Sequence, residues 1–241
     1  MLKNRKLLVT GGASGIGEAL AALALAGGAR VHVLDLQPPC KTAEGLSFSV
    51  ADVRDAAAVR AAVEAARNSM GGIDGLANVA GINAPAGELG QTNFELWRKV
   101  LEVNLLGALH TAEFALPALC ESPCASIVNV ASGVGLRPFP GVGAYAASKS
   151  GLIALTRTWA MELGPRVRVN AVCPGPVDTP LLAHRAEREV GLVARIDPSS
   201  YALKRIAQAG EVAGAIAFLL GAEASFITGA TLAVDGGRTF H

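Results

Sequence analysis

Tyr145 and Lys149 are the two residues whose types and spacing most directly suggest chemistry. They lie four positions apart in the helical stretch Tyr-Ala-Ala-Ser-Lys, and residues four apart share one face of a helix. A free tyrosine titrates near pH ~10, but a neighbouring cation favours its phenolate and brings its pKa toward the working range. The pair can therefore serve as a general acid and base.

Ser132 brings a hydroxyl to the same region. It follows an apolar run, residues 126–131, that is typical of a buried strand. Because ligands of open α/β sheets bind at the carboxyl ends of the strands, we expect Ser132 to face the site.

The four-residue spacing of Tyr145 and Lys149 has a commoner explanation when taken alone, namely a half-buried surface tyrosine beside a lysine whose aliphatic stem lies along the surface. The assignment therefore depends on the rest of the chain.

The amino-terminal stretch has the pattern of a nucleotide-binding turn. A short apolar run, Lys6 to Thr10, precedes a glycine-rich segment, and an Ala- and Leu-rich helical pattern then continues to Ala26. Glycines allow tight turns and close backbone approach, and the free amides of a helix N-terminus attract a pyrophosphate. The residues predicted to hold this group are Gly11, Ser14, Gly15, Ile16 and Gly17.

The second predicted strand, residues 30–35, ends in the carboxylate of Asp35. A carboxylate at this point can accept both ribose hydroxyls of an adenosine and would repel a 2′-phosphate. The following residues, Leu36 and Gln37, bring no compensating cation. NAD is therefore predicted in preference to NADP. Without the glycine loop, an aspartate in a turn before Pro38 would be the simpler interpretation.

Two further strand ends carry residues with predicted cofactor contacts. Asp52 and Val53 follow a short strand, residues 47–50, and the acid could accept a hydrogen bond from the adenine amino group. The next strand, which begins at Gly75, leads to Asn78 and to the small residues Ala80 and Gly81. Asn78 either ties strands together or forms part of the cofactor wall, and the first is the commoner role of a buried amide.

Three segments around these strand ends have distinct expected structures. A long helix is predicted from Asn93 to Leu116, and Asn104 in its middle should distort it locally or hold a water, because asparagine favours helices poorly. Residues 133–141 contain too much Gly and Pro for a helix, which predicts a loop beside Ser132. Residues from about 179 to 205 have uneven periodicity and many charges, typical of a mobile lid.

The recurring order of strand and helix predicts the fold class. It implies a parallel sheet with helices on both faces. The 241 residues contain no repeat or linker and suit one domain. We therefore expect a single α/β domain over residues 1–241, a Rossmann-type doubly wound fold of about seven parallel strands.

Composition excludes several classes of partner. A formal net charge of +1 argues against nucleic acid, and no uninterrupted apolar stretch is long enough to span a membrane. The first residues lack the apolar core of a signal peptide, which predicts a cytoplasmic protein with reduced cysteines. The four cysteines and four histidines lack metal-ligand spacing, so no metal is expected. The expected partner is a small molecule.

These motifs resemble those of the short-chain dehydrogenase/reductase family over nearly the whole chain. Thr10, Gly11, Gly15 and Gly17 match its Thr-Gly-x-x-x-Gly-x-Gly loop. The segment 78–81 is similar to its Asn-Asn-Ala-Gly element, with Val79 in place of the second Asn. The resemblance implies a catalytic tetrad of Asn104, Ser132, Tyr145 and Lys149. It also implies that Pro174, Gly175 and Thr179 hold the nicotinamide carboxamide, and Val177 is predicted to bind the cofactor as well.

The resemblance further implies a mechanism and an assembly. Tyr145 would take the alcohol proton in oxidation and return it in reduction, and Ser132 would bind the substrate oxygen. Lys149 would hold the nicotinamide ribose and help to lower the pKa of Tyr145, while Asn104 would support a water in a proton relay. The family's usual assembly is a homotetramer, with the helices at 93–116 and 145–163 at one interface and the C-terminal strand near another.

The predicted function is NAD-dependent interconversion of a secondary alcohol and its ketone. Two alternatives stay open: a reductase of a 3-oxoacyl thioester, and an NAD-binding sensor without catalysis. The expected pocket wall, which comprises Ile82, Val134, Leu136, Phe139 and parts of residues 180–205, is mainly apolar and suits a cyclic or aliphatic alcohol. The arginines of the expected lid are better explained as a solvated face than as a carboxylate or phosphate site.

Overall fold

Seven parallel strands form the central sheet of the protein, whose computed structural model describes residues 1–183 and 197–239. In chain order its strands are β1 (Lys6–Thr10), β2 (Arg30–Asp35), β3 (Leu46–Val50), β4 (Gly75–Asn78), β5 (Ser126–Val130), β6 (Arg168–Pro174) and, last, β9 (Thr231–Val234). Two short strands, β7 (Val177–Asp178) and β8 (Ala207–Gln208), pair separately. The prediction of about seven parallel strands is confirmed.

The strand order is β3-β2-β1-β4-β5-β6-β9. The order reverses between β1 and β4, which pair in parallel from Leu7 opposite Gly75 to Thr10 opposite Asn78. Such a reversal leaves a crevice outside the carboxyl ends of the strands, and ligands of doubly wound folds bind there. The glycine loop after β1 and the small residues after β4 therefore meet at one crevice.

Helices cover both faces of the sheet, as predicted. They are α1 (Gly15–Ala26), α2 (Ala56–Met70), α3 (Phe94–Leu101), α4 (Gly107–Glu121), α5 (Gly133–Leu136), α6 (Gly143–Leu163) and α7 (Ala209–Leu220). Side chains alternate along a strand, so Leu7 packs in one core with α1 and α7, whereas Leu8 packs in the other with α2, α4 and α6. Both leucines are fully buried.

The predicted helix at 93–116 is interrupted at the expected residue. Between α3 and α4 the chain makes a π-helical turn, Glu102–Leu106, which contains Asn104. The predicted local distortion is confirmed, although the helical segment continues to Glu121. Phe94–Glu121 is long and apolar enough by composition to cross a membrane, with a mean hydropathy of 1.3. It packs against α2 and α6, however, and we assign it to the core.

Two segments near the carboxyl ends of the strands were predicted as a loop and a lid. The expected loop at 133–141 begins with a short helix, α5, so the prediction that this segment contains no helix is wrong. The reason is local: the Ser132 hydroxyl caps the turn by accepting a hydrogen bond from the Val134 N–H at 3.1 Å. Of the expected lid at 179–205, residues 184–196 lie outside the described part of the chain.

Candidate active site

The glycine loop connects β1 to α1 at the crevice. Gly11 and Gly15 have positive φ angles of 67° and 56°, which L side chains rarely adopt. A Cβ on Gly17 would lie 2.1 Å from the Gly11 carbonyl oxygen, so only glycine allows α1 to begin this close to the loop. The loop thus presents its backbone and the N-terminal amides of α1 to the crevice, as an anion-binding turn requires.

Thr10 and Gly11 hold the loop against the strand end that follows β4. The Thr10 hydroxyl accepts hydrogen bonds from the N–H groups of Val79 at 3.1 Å and Ala80 at 3.2 Å. A Cβ on Gly11 would lie 2.7 Å from the Ala80 backbone. This close contact between two distant segments explains why a small residue stands at position 80 as well as in the loop.

Asp35 lies at the carboxyl end of β2 beside the glycine loop, as expected. Its Oδ2 accepts a hydrogen bond from the Ala13 N–H at 3.0 Å. The carboxylate borders a cavity that also contains the predicted cofactor residues Gly11, Ser14, Gly15, Ile16, Asp52, Val53, Ala80, Gly81 and Thr179. The sequence therefore identified many of the residues that line this cavity.

Two cations border this cavity that sequence reasoning did not consider, Arg54 and Lys99. Arg54 is bound by Asp52: its Nε and Nη2 donate to the Asp52 carboxylate at distances of 2.6 to 3.1 Å. The hydrogen bond from Arg54 holds the pKa of the Asp52 carboxyl below its usual range. Because both Asp52 oxygens are engaged by Arg54, the predicted contact of Asp52 with adenine stays a prediction.

A second cavity of about 170 Å³ adjoins the first and holds the predicted reaction centre. Ser132, Tyr145 and Lys149 all border it, together with the predicted cofactor residues Pro174, Gly175, Val177 and Thr179. The two cavities share Ile16, Gly81 and Thr179 among their walls. One continuous cleft therefore runs from Asp35 to Tyr145.

Lys149 is buried beside Tyr145. Its ammonium lies 5.8 Å from the centroid of the Tyr145 ring and donates a hydrogen bond to the Val130 carbonyl at 2.8 Å. Only 3% of Lys149 is exposed, and this burial lowers the pKa of its ammonium to about 8. The helical spacing thus produces the cation–phenol neighbourhood that acid–base chemistry at tyrosine needs.

Asn104 lies behind the cavity and shapes it. Its Oδ1 accepts from the Ile82 N–H at 2.8 Å, and its Nδ2 donates to the Ile82 carbonyl and the Ser148 hydroxyl, each at 3.0 Å. A Cβ on Gly81 would lie 3.3 Å from Asn104 Oδ1 and 3.4 Å from Lys149 Nζ. Asn104 and Lys149 therefore flank Gly81. The water that Asn104 was expected to hold stays a prediction.

Two predicted cofactor residues border neither cavity. Gly17 acts through packing against Gly11, as described above. Asn78 is 3% exposed, and its Nδ2 donates to Asn129 Oδ1 at 2.9 Å, which ties β4 to β5. Of the two roles left open for Asn78, the structure favours the connection between strands.

Asn83 and Arg238 border the second cavity but were not anticipated, and Tyr201 was covered only by the expectation that parts of residues 180–205 form the pocket wall. They come from the loop after β4, from the end of the expected lid and from the C-terminal tail. No motif marked them, because each is isolated in the sequence and reaches the site only through the packing of its segment.

The residues of the cleft fit a dinucleotide. At Gly15 a Cβ would lie 3.2 Å from the Thr179 side chain, so the missing side chain leaves a cradle between the loop and Thr179. The backbone amides of the loop suit a pyrophosphate, and Asp35 suits a ribose. A dinucleotide cradle joined to a cluster of the buried Ser132 and Lys149 with the half-buried Tyr145 defines the class of protein, a nucleotide-binding oxidoreductase with a Rossmann fold.

Comparison with known proteins identifies the family. A protein-family model described as enoyl-(acyl carrier protein) reductase matches residues 11–239. The chain is 36% identical to 2-(S)-hydroxypropyl-CoM dehydrogenase 3 of Xanthobacter autotrophicus, over 99% of this chain and 98% of that protein. It is 39% identical to the 3-oxoacyl-[acyl-carrier-protein] reductase FabG of Thermotoga maritima, over 98% of each. The protein belongs to the short-chain dehydrogenase/reductase family.

Solved structures agree with this assignment. The ligand-free aldohexose dehydrogenase of Thermoplasma acidophilum superposes with a TM-score of 0.94 at 35% identity, covering 100% of this chain and 96% of that one. The 3-ketoacyl-(acyl-carrier-protein) reductase of Brucella melitensis, complexed with NADH, gives a TM-score of 0.91 at 31% identity, with both chains fully covered.

Proposed function

We propose that this protein is an NAD-dependent oxidoreductase that interconverts a secondary alcohol and its ketone, with Tyr145 as the acid and base. The observation that carries the proposal is the meeting of Ser132, Tyr145 and Lys149 around one cavity that opens into the glycine-loop cradle. Each residue is common by itself. Their convergence beside a dinucleotide site supports hydride chemistry at a carbinol carbon.

The roles of the residues follow from their positions. The Ser132 hydroxyl accepts from Val134 N–H, which leaves its own hydrogen for the substrate oxygen. Tyr145 takes the hydroxyl proton in oxidation and returns it in reduction. The cation of Lys149 favours the phenolate of its neighbour, and Asn104 holds the Ile82 backbone that borders the site. The nicotinamide supplies the hydride acceptor or donor when bound.

The preference for NAD rests on Asp35. The carboxylate stands at the end of β2, where it can accept ribose hydroxyls and repel a 2′-phosphate. The nearby cation Arg54 forms an ion pair with Asp52 at 2.6 Å, so its charge is largely compensated and is less able to attract the 2′-phosphate of NADP. Lys99 is the cation that could weaken this preference.

Reduction of a 3-oxoacyl thioester is the second candidate. The 39% identity to a 3-oxoacyl-[acyl-carrier-protein] reductase favours it, and the same cluster of side chains would serve both reactions. Reduction of an acetoacetyl thioester at a higher kcat/KM than simple ketones would identify this activity. NAD binding without turnover of any alcohol, ketone or thioester would instead identify a sensor.

The test is turnover by Tyr145→Phe in a panel of secondary alcohols with NAD, followed by the absorbance of NADH. We expect kcat to fall at least about 1,000-fold, because the proton has no acceptor, while NAD binding changes little. Tyr201→Phe removes the hydroxyl of the other tyrosine that borders this cavity, so a much smaller loss in that variant would assign the effect to Tyr145. Undiminished turnover by Tyr145→Phe would refute the assignment.

A homotetramer in the cytoplasm is the proposed state of the enzyme. Large apolar side chains are exposed on the surfaces that family resemblance assigns to interfaces: Phe94 and Leu109 on α3 and α4, Met161 on α6, and Phe226 and Leu232 near the C-terminal strand. Exposed apolar surface of this kind supports association. Light scattering with size-exclusion chromatography tests it, and a monomeric mass would contradict it.

A further inference from the structure

Arg238 brings a second positive charge to the cavity that contains Tyr145. Its side chain borders this cavity, with the guanidinium carbon 5.4 Å from the centroid of the Phe139 ring. A Cβ on Gly133 would lie 3.6 Å from Arg238 Nη1. Since Gly133 follows Ser132 in the chain, the guanidinium lies beside the turn that begins at Ser132, and both side chains border the same cavity.

The C-terminal tail that carries Arg238 is tied down by Asp235. The Asp235 Oδ1 accepts hydrogen bonds from the N–H groups of Gly237 at 3.0 Å and Arg238 at 3.2 Å. Its Oδ2 accepts from the N–H and hydroxyl of Thr239 at 3.0 and 2.7 Å. Asp235 is buried, so the backbone of Arg238 is held in place by charge-assisted hydrogen bonds.

The described residues that border this cavity carry charge of one sign only. Among the described residues that border it, Lys149 and Arg238 are charged, and none is acidic. In the same part of the chain no carboxylate lies within salt-bridge distance of Arg238. The Arg238 side chain is half-buried and its guanidinium lies over the Phe139 ring, while no described residue accepts a hydrogen bond from the guanidinium N–H groups.

We infer that Arg238 binds the anionic group of the substrate, so that the enzyme acts on hydroxy acids and their oxo acids rather than on neutral alcohols. This inference rests on the proposed function and names its substrate class. A planar guanidinium pairs with a carboxylate through two parallel hydrogen bonds, which would orient the carbinol carbon toward Ser132 and Tyr145. The anionic group takes no part in the bond changes.

The test compares acids with neutral analogues of the same shape. Wild type, Arg238→Gln, Arg238→Lys and the control Arg166→Gln are assayed with NAD on 3-hydroxybutyrate, 3-hydroxyhexanoate and mandelate, and on the methyl ester of each. Arg166 is exposed and precedes β6, so it lies at the amino ends of the strands, whereas the site lies at their carboxyl ends. Thermal stabilisation by the same acids is measured in parallel, because it reports binding without turnover.

We expect wild type and Arg166→Gln to prefer at least one acid over its ester. Arg238→Gln should lose about 10- to 100-fold in kcat/KM for that acid, mainly through KM, and little for the ester. Arg238→Lys should lose less kcat/KM for that acid than Arg238→Gln does, since lysine keeps the positive charge but cannot form the two parallel hydrogen bonds of a guanidinium.

Equal use of acids and esters, unchanged in Arg238→Gln, would overturn the inference and leave the proposed function standing. If no alcohol in either series is oxidised, the proposed function fails, and thermal stabilisation then decides the inference. Stabilisation of wild type but not of Arg238→Gln by an acid would support the anion site. Equal or absent stabilisation in both proteins would overturn it.

Discussion

The Lys149 ammonium lies 5.8 Å from the centroid of the Tyr145 ring and donates to the Val130 carbonyl at 2.8 Å. This one arrangement joins helix α6 to the carboxyl end of β5. It fixes the cation beside the phenol, so in the proposed reaction the two side chains should need little reorganisation for proton transfer. Preorganised charge of this kind contributes strongly to catalysis in a site from which water is excluded.

Lys149→Met should reduce kcat at least about 100-fold while the protein remains folded, because methionine keeps the buried stem and removes the cation. Loss of the cation disfavours the phenolate, so residual alcohol oxidation should need a higher pH than in wild type. The measurement is the pH profile of kcat. The control is Lys6→Met, because Lys6 lies at the amino end of β1, away from the site at the carboxyl ends of the strands. An unchanged profile would show that Lys149 does not act on Tyr145.

Asp35 should govern the choice between NAD and NADP. We expect wild type to favour NAD by about 100-fold in kcat/KM, since a carboxylate facing a 2′-phosphate costs several kcal/mol. Asp35→Ser combined with Leu36→Arg should reverse this preference. The control is Asp55→Ser, which removes a negative charge at the start of α2 but keeps a residue that can cap this helix. It should leave the preference for NAD over NADP unchanged. Comparable efficiencies with both cofactors in wild type would contradict the role of Asp35.

Gly17→Ala and Gly214→Ala should have opposite effects, although both residues are in helices. The added Cβ at position 17 would lie 2.1 Å from the Gly11 carbonyl oxygen, whereas nothing lies within 4 Å at position 214. Gly17→Ala should lower the melting temperature and abolish NAD binding. Gly214→Ala should stabilise the protein by about 0.5–1 kcal/mol with normal NAD binding. Normal NAD binding by Gly17→Ala would show that the loop tolerates this movement.

Asn104→Ala should lower the free energy of unfolding by about 2–4 kcal/mol, because it leaves the Ile82 N–H and carbonyl without their partner. Asn104 is 1% exposed, so water cannot readily replace the amide. Urea denaturation of Asn104→Ala is compared with that of Asn93→Ala, which removes the exposed N-cap of α3. The control should cost only about 1 kcal/mol. Equal losses would argue against a special role for the π-helical turn.

His32 should make the protein less stable in mild acid. Its ring nitrogens bond to Ser47 and Ser49 at 2.8 and 2.9 Å, and burial lowers the pKa of His32 from 6.5 to about 4. The unfolded chain therefore binds the proton more readily, so stability is complete above pH 6.5 and falls as the pH drops toward 4. The loss between pH 7 and 5 should be about 2 kcal/mol.

Urea denaturation at several pH values measures this effect. His32→Gln removes the titrating ring, so its free energy of unfolding should change less between pH 7 and 5 than that of wild type. Parallel pH dependence in the two proteins would show that the stability loss comes from other groups.

Patterns within single elements determined much of this protein. Strand runs, the glycine turn after β1 and the four-residue spacing of Tyr145 and Lys149 are set by backbone geometry and by the period of each element, which neighbouring residues encode. The acid at the end of β2 follows from the same local order. These features were therefore readable from the chain alone, and so was the distortion of a helix by Asn104.

Tertiary structure decided what distant segments do together. Several contacts join residues that share no local pattern. They are the hydrogen bond from Val79 to Thr10, the hydrogen bond from Ile82 to Asn104, and the packing of the Arg238 guanidinium on Phe139. Their meeting depends on sheet order, on strand register and on the packing of the C-terminal tail around Asp235. Local periodicity carries no information on these contacts, because they arise only when the burial of both sheet faces brings separate strand ends to one crevice.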